Sequence, residues 1–427
     1  MRRASSVGLL VAAWLVTRGL VVWLLRGRHS WVEGDLAYYA ASLGSLDALG
    51  PGRALVEYPL PGVVVVAVPW LLAEVFASAE AYDEVVLVLS LGADAAFTVL
   101  LAAHARTSGR TPVTVWLLAV PLLGATTYAR FDLVPGLLAG AGLLLAARRP
   151  GVAAVSLALA TGLKLWPALV LPALAVPQWS RRVVVVVVAA VGAVLATATV
   201  AVAGWDRLVS PLTWQAERGL QLESVAATPA VLVWAFAPGQ HAVGFTEHNA
   251  FEVAGPGVGE LLLVAQVLTL MAVVGLLVLW GAALRRGDRV GPATVAWMSL
   301  AAVGAFMVTS KVLSPQYLLW LLPLAAAATA VSPQRSLRAW AGVLLVATGL
   351  TQVVFPELYG HLTRDGELTR AVVVVLAVRN ALLVALVVWA AVAAVRGVSA
   401  AGRSPASRRG LRGTTPAPAV AGRPTAT

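Results

Sequence analysis

The chain has 427 residues, of which 59% are hydrophobic and 12% charged, and carries a formal net charge of +11 with a mean hydropathy of +0.85. A soluble fold of this length cannot cover its surface with so little charge, so the composition excludes a soluble enzyme or nucleic-acid-binding module and points to the membrane. Cysteine is absent, which removes disulfides and thiolate metal sites.

Met1-Arg2-Arg3 and the apolar run 7–25 read as a first transmembrane helix. The run is long for a signal peptide, lacks a small-residue cleavage site and is followed by many more apolar segments. These lie at 59–76, 84–103, 112–128, 133–147, 152–176, 183–203, 258–284, 291–309, 315–331, 337–355 and 369–395. A spanning helix needs about 20 apolar residues, so the pattern predicts an all-α polytopic membrane protein of about 12 helices, one domain over 1–396. Two hydrophilic interruptions, 26–58 and 204–257, separate them. Arg181-Arg182, Arg285-Arg286 with Arg289, and Arg335 with Arg338 mark cytoplasmic connectors, which puts both interruptions on the extracytoplasmic side. The segment 397–427 holds Arg403, Arg408, Arg409, Arg412 and Arg423 and no acid, in a low-complexity mix; it is expected to be a disordered, basic cytoplasmic tail that anchors topology. Strict alternation would leave Arg106/Arg110 and Arg148/Arg149 outside. A break within Tyr58–Trp70, which holds three prolines, and another within Gly162–Pro167 would repair this.

Charges inside apolar segments need partners or a function. Arg18 and Asp94 are expected to pair. The chain has two lysines against 29 arginines. Lys164 and Lys311 both lie in or beside apolar segments, where a compact ammonium either snorkels to the headgroups or meets an anion such as a lipid-linked phosphate. Arg130-Phe131-Asp132 is either a capped turn or part of a site. In the first interruption, Glu33 and Asp35 stand among aromatics that include Tyr38 and Tyr39, and Glu57-Tyr58 closes it. A carboxylate there is an ordinary solvated acid, or a general base if partial desolvation lifts its pKa. In the second, Trp214, Glu217, Arg218 and Gln221 fit one amphipathic interfacial helix. His241 and His248 lack the carboxylate company of a metal site, and no phosphate loop occurs. No metal, no cofactor and no nucleic-acid partner are expected.

Several motifs in order resemble glycosyltransferase family 87, polyprenol-phosphate-mannose-dependent mannosyltransferases of the GT-C superfamily. They are Gly34-Asp35-Leu-Ala-Tyr38-Tyr39, Glu57-Tyr58-Pro-Leu-Pro61, Arg130-Phe-Asp132 and Gly162-Leu-Lys164-Leu-Trp-Pro167, then Glu217-Arg218-Gly-Leu-Gln221-Leu-Glu223-Ser224 and Lys311-Val-Leu-Ser-Pro-Gln316-Tyr317. The resemblance implies a GT-C-like bundle in the cell (plasma) membrane. It implies transfer of a sugar, mannose, from a polyprenyl-phosphate donor to a lipid or glycolipid acceptor outside the membrane, with inversion. It assigns the base to Asp35, with Glu33 as its reserve, and substrate contacts to the other motif residues. Lys164, Arg130 and Lys311 are the candidates to stabilise the leaving phosphate. The rival is a transporter or flippase, which favours inverted repeats with matching broken helices; the sequence shows no second copy of either Pro-containing motif.

Overall fold

The computed structural model describes residues 2–403 apart from 77, 79, 80, 238 and 365. Each apolar segment is helical: α1 (Arg2–Arg26), then, after α2 (Gly34–Gly44) in the first interruption, α3 (Leu60–Phe76), α4 (Tyr82–Ser108), α5 (Thr111–Leu123), α6 (Leu133–Leu145), α7 (Pro150–Leu163) and α8 (Gln178–Ala203). The second interruption folds as α9 (Trp205–Glu217), α10 (Thr228–Phe236) and an antiparallel hairpin, β1 (Ala242–Thr246) and β2 (Ala250–Ala254). The chain continues through α11 (Val258–Arg286), α12 (Pro292–Thr309), α13 (Leu318–Val331), α14 (Arg335–Gln352) and α15 (Thr369–Arg403).

Among the described residues seven helices, α1, α4, α8, α11, α12, α14 and α15, are long and apolar enough to cross a membrane, and five shorter apolar helices accompany them. The protein is therefore a helical, multi-pass membrane protein. The centre is α12 and α13; the side chains of α13 are almost all buried and those of α12 mostly so. Gly136 lets α6 lie against α13 so closely that a Cβ would collide with the Leu319 carbonyl. The outer helices are apolar on the outside instead: Leu263, Leu270, Met271, Leu277 and Val278 of α11 are all exposed. Water does not tolerate such a surface, and lipid does.

Arg18 and Asp94 do pair. The guanidinium meets both carboxylate oxygens, at 2.7 and 2.9 Å, and Asp94 also accepts from Trp14 (3.0 Å), Trp116 (2.5 Å) and Tyr128 (3.0 Å). A forked ion pair with every oxygen satisfied is the form in which buried charge is tolerated.

Of the two suspected breaks, the one within Gly162–Pro167 exists, and the one within Tyr58–Trp70 does not, since the helix runs unbroken from Leu60 to Phe76. The segment 152–176 is not one helix: α7 ends at Lys164, which is extended, and a 3₁₀ turn at Trp166–Val170 with the short helix Leu171–Leu174 carries the chain back. α3 contains Pro69 and begins beside the first interruption, while α4 begins near the same place. Tyr82 reaches the Val66 carbonyl at 3.3 Å, and Arg26 at the end of α1 bridges Glu84 at 2.7 Å. Hence α3 leaves and rejoins one end of the bundle. With the break at Lys164 the connectors bearing Arg148/Arg149, Arg181/Arg182 and Arg285/Arg286/Arg289 meet at the opposite end. There Ala147, Pro177, Asp288 and Val331 line one small cavity and Arg181 donates to the Leu284 carbonyl at 2.8 Å.

Two features depart from the sequence reading. The amphipathic helix α9 stops at Glu217, with Arg218 extended, so Glu217 and Gln221 share no helix face. Gln221 donates its backbone N–H to the Lys311 carbonyl at 3.0 Å and Leu222 to Phe251 at 2.9 Å. These partners beyond the helix take the backbone out of it. The hairpin, a strand pair in a helical protein, has no counterpart in the sequence reading. α15 continues through Arg403; the rest of the basic tail, 404–427, lies outside the described residues.

Candidate active site

The two interruptions close over one end of the bundle and enclose a cavity of about 300 Å³. Its first wall comes from the residues after α1. A 3₁₀ turn, Ser30–Glu33, leads into α2, whose first turn holds Asp35, where a helix N-terminus favours a negative charge. Tyr38 and Tyr39 follow one turn on. Tyr39 and Tyr58 share a hydroxyl hydrogen bond of 2.8 Å, and Tyr38 donates to Glu57 Oε1 at 3.0 Å. Glu57 and Tyr58 are set by the turn before them, in which Leu55 adopts a left-handed φ of 48°. Arg207 of α9 holds that turn by donating to the carbonyls of Ala54 (3.1 Å), Leu55 (3.0 Å) and Val56 (3.3 Å). Burial pushes the Glu57 carboxyl up, opposed by the Tyr38 hydrogen bond and by Arg207. Burial likewise lowers Arg207.

Asp35 faces Arg130, its Oδ2 3.1 Å from the guanidinium Nε. The same Nε donates to Gln316 at 2.9 Å, and Nη1 donates to the Val32 carbonyl at 2.7 Å. Arg130 is thus a brace that fixes the Asp35 carboxylate relative to the bundle. Lys164 enters from the end of α7. Its ammonium donates to both oxygens of Asp132, at 2.7 and 2.8 Å, and lies 5.4 Å from the Tyr58 ring and 5.7 Å from Trp320. Asp132 is fully buried and takes a further hydrogen bond of 2.5 Å from Trp320.

The third wall is the irregular stretch after α9. Gln221 Oε1 accepts from the Leu313 N–H at 2.6 Å. Glu223, buried, contacts Arg379 of α15 at 3.0 Å, and burial raises its carboxyl against the pull of that arginine. Arg130 and Lys164 are each paired with a carboxylate, whereas Arg218 is in no ion pair among the described residues and its Nε has no hydrogen-bond partner.

Of the residues singled out from sequence, Asp35, Tyr38, Tyr39, Glu57, Tyr58, Arg130, Lys164, Arg218, Gln221, Glu223, Gln316 and Tyr317 line this cavity. Four do not. Glu33 points away to Arg26, at 3.1 Å, with burial raising its carboxyl. Asp132 stands behind Lys164. Glu217 is exposed at the end of α9. Lys311 lies behind the wall, donating to the carbonyls of Ala216 (2.8 Å) and Arg218 at the end of α9; burial lowers its ammonium.

Sequence reasoning did not assign Trp31, Phe245, Phe251, Phe355 and Tyr359, which also line the cavity, nor the supports Arg207 and Arg379. The rule that picks out Arg18 and Asp94 also applies to Arg379, a charge inside the last apolar segment. Trp31 stands four residues before Asp35 in the first interruption, but for the other aromatics no sequence signal exists, because the hairpin and the residues after α14 reach the cavity only through folding.

The sequence model of glycosyltransferase family 87 matches residues 56–315, more than half of the chain. No curated protein and no solved structure matches it. The matched region contributes Glu57, Tyr58, Arg130, Lys164, Arg218, Gln221 and Glu223 to the cavity just described, and the chain belongs to glycosyltransferase family 87.

Proposed function

We propose that the cavity transfers a sugar, mannose, from a polyprenyl-phosphate donor to a lipid-linked or glycolipid acceptor, with inversion and with Asp35 as general base. The observation that carries this reading is the Asp35–Arg130 pair, 3.1 Å across, in a cavity that also holds Lys164 and the unpaired Arg218. The acceptor hydroxyl attacks the anomeric carbon as the bond from that carbon to the phosphate oxygen breaks. Asp35 takes the hydroxyl proton, and the polyprenyl phosphate leaves with the bonding electrons. Arg218 and Lys164 supply positive charge at the departing phosphate. The gathering of Arg connectors at the other end of the bundle supports an extracytoplasmic cavity in the cell membrane, with the chain's end inside. The lipid-facing exterior suits a donor that arrives by diffusion within the bilayer. The test is purified protein in nanodiscs with acceptor lipids and labelled polyprenyl-phosphate mannose. Label passes into a new lipid with the wild-type protein and stays on the donor with Asp35→Asn. A donor left intact by wild-type protein overturns the reading.

A further inference from the structure

Two stretches far apart in sequence meet at the rim of the cavity: 28–44, which holds α2, and the connector 353–364 after α14. Each packs on its own side. α2 buries Leu36, Tyr39 and Leu43 beside Tyr58, while the connector buries Val354 and Leu362 against α10 and α15. They come together around Arg130. Its Nη1 donates to the Val32 carbonyl at 2.7 Å, its Nε faces Asp35 at 3.1 Å, and its guanidinium lies 5.9 Å from the Phe355 ring. Two residues beyond Phe355, Glu357 reaches across the seam. Its Oε1 lies 3.0 Å from His29 Nε2, off the line of a hydrogen bond, and its Oε2 lies 2.6 Å from Arg28 Nη2. Among the described residues no other ion pair joins the two stretches. Arg28 is 69% exposed, and a surface pair alone is worth little. His29 is buried. Val32 donates its N–H to the His29 carbonyl at 3.0 Å, so the residue that meets Glu357 is tied to the one that meets Arg130.

An ion pair and a cation–aromatic contact both weaken when water reaches the charge. The Arg130 side chain is 9% exposed, and Phe355 covers one of its faces. A connector that swings away from 28–44 takes Phe355 off that face, admits water and leaves Asp35 with a looser partner. Trp31 also crosses the seam, 5.2 Å from Phe355 and 6.4 Å from Tyr359. Apolar contact of this kind is non-directional and lets the rings slide; a carboxylate between two cationic side chains fixes the register. Resting on the transfer reading above, we propose that Glu357 is a positioning residue: through His29 and Arg28 it clasps the connector to the turn before α2 and keeps Arg130 on Asp35. Glu357 itself does not line the cavity and touches no reacting atom. Lys164 and Tyr58 stand outside the clasp, so its loss falls on the chemical step and spares donor binding. The family match, 56–315, reaches neither His29 nor Glu357.

The test reads turnover and geometry separately, on the full chain in nanodiscs. Glu357→Gln keeps the shape and removes the charge. It should lower kcat by about tenfold or more, as for a group that orients another, with donor KM within about twofold of wild type. Glu357→Asp, the same charge on a shorter arm, should regain part of the loss. Arg28→Gln, at an exposed position, should show a smaller loss of the same kind. His29→Gln should resemble Glu357→Gln, and the double variant should be no worse than either, because both break one contact. The chain has no cysteine, so spin labels can be carried by Ala41→Cys in α2 and Arg364→Cys in the connector, both exposed positions. Their distance distribution should be narrow in the otherwise wild-type protein and broader in Glu357→Gln. A kcat within about twofold of wild type, additive losses in the double variant, or an unchanged distance distribution overturns the proposal. If the wild-type protein consumes no donor while the labels still spread in Glu357→Gln, the transfer reading fails and the clasp stands.

Discussion

Lys164 and Asp132 form a two-pronged contact, 2.7 and 2.8 Å, in which the acid is fully buried and the lysine still 19% exposed toward the cavity. The pair separates roles: Asp132 orients, and Lys164 presents charge. Removing one member of a buried pair costs about 3–5 kcal/mol, because the other charge is left unanswered. Asp132→Asn should therefore lower the melting temperature in detergent as well as activity. Lys164→Met should lose donor use by on the order of 10²-fold, and adding Asp132→Asn to it should recover stability and no activity. Recovery of turnover in the double variant would show that Lys164 only neutralises Asp132.

Asp35→Asn preserves shape and removes the proton acceptor, so turnover should fall by roughly 10²–10⁴-fold at unchanged donor binding. Glu33→Gln should stay within about threefold of wild type, because Glu33 points at Arg26 and away from the cavity. Initial rates for both purified variants decide the matter: a dead Glu33→Gln beside an active Asp35→Asn moves the base to Glu33.

Glu57 makes stability depend on pH in a definite direction. Burial raises its carboxyl from the usual 4.5, so the folded protein holds a proton that the unfolded chain has already lost. Stability is then greatest at acid pH and falls as pH rises through the folded-state value. Glu57→Gln can still accept from Tyr38 but cannot ionise. Melting curves between about pH 5 and about pH 8 should decline less steeply for this variant than for wild type, and parallel curves would exclude Glu57 as the cause.

Lys311 and Arg218 are joined through the end of α9, yet their loss should read out differently. Lys311→Met removes donors from the last carbonyls of α9, a capping loss of about 1 kcal/mol, and should speed proteolysis within 204–257. Arg218→Met leaves that backbone in place and should raise the donor KM by roughly tenfold or more. Equal protease sensitivity with an unchanged KM for Arg218→Met would remove Arg218 from the phosphate site.

Much of this architecture is legible in the sequence because the bilayer imposes a coarse rule: about 20 apolar residues per crossing. The places of most apolar helices follow from it, though 152–176 is not one helix; the Arg18–Asp94 pair follows from a second rule, that charges inside apolar segments need partners. The break at Lys164 is legible only through the conflict it resolves, and Pro69, expected to break its segment, sits inside an unbroken helix instead, since proline and glycine weaken a helix without deciding whether the chain then turns. Of the site, the polar residues stand out against an apolar background. Its aromatics do not, because Phe355 and Tyr359 in an apolar chain look like core. The irregular course of 218–224 also escapes, since the partners that hold it, Lys311 and Phe251, are far away in sequence.

The buried pair that ties α1 to α4 also bears on how the protein is made. Asp94 follows Arg18 by 76 residues, so when α1 first enters the bilayer its guanidinium has no counter-charge. An arginine at that depth costs about 2.5–3.5 kcal/mol on translocon scales, and Trp116 and Tyr128, which complete the cluster, are synthesised later still. The nascent helix carries that cost until α4 and α5 bring the groups that answer it. Insertion of this protein is in that sense cooperative, and Asp94→Asn should show its effect in ribosome-bound chains, as a poorly retained first helix, before any folded protein exists to be measured.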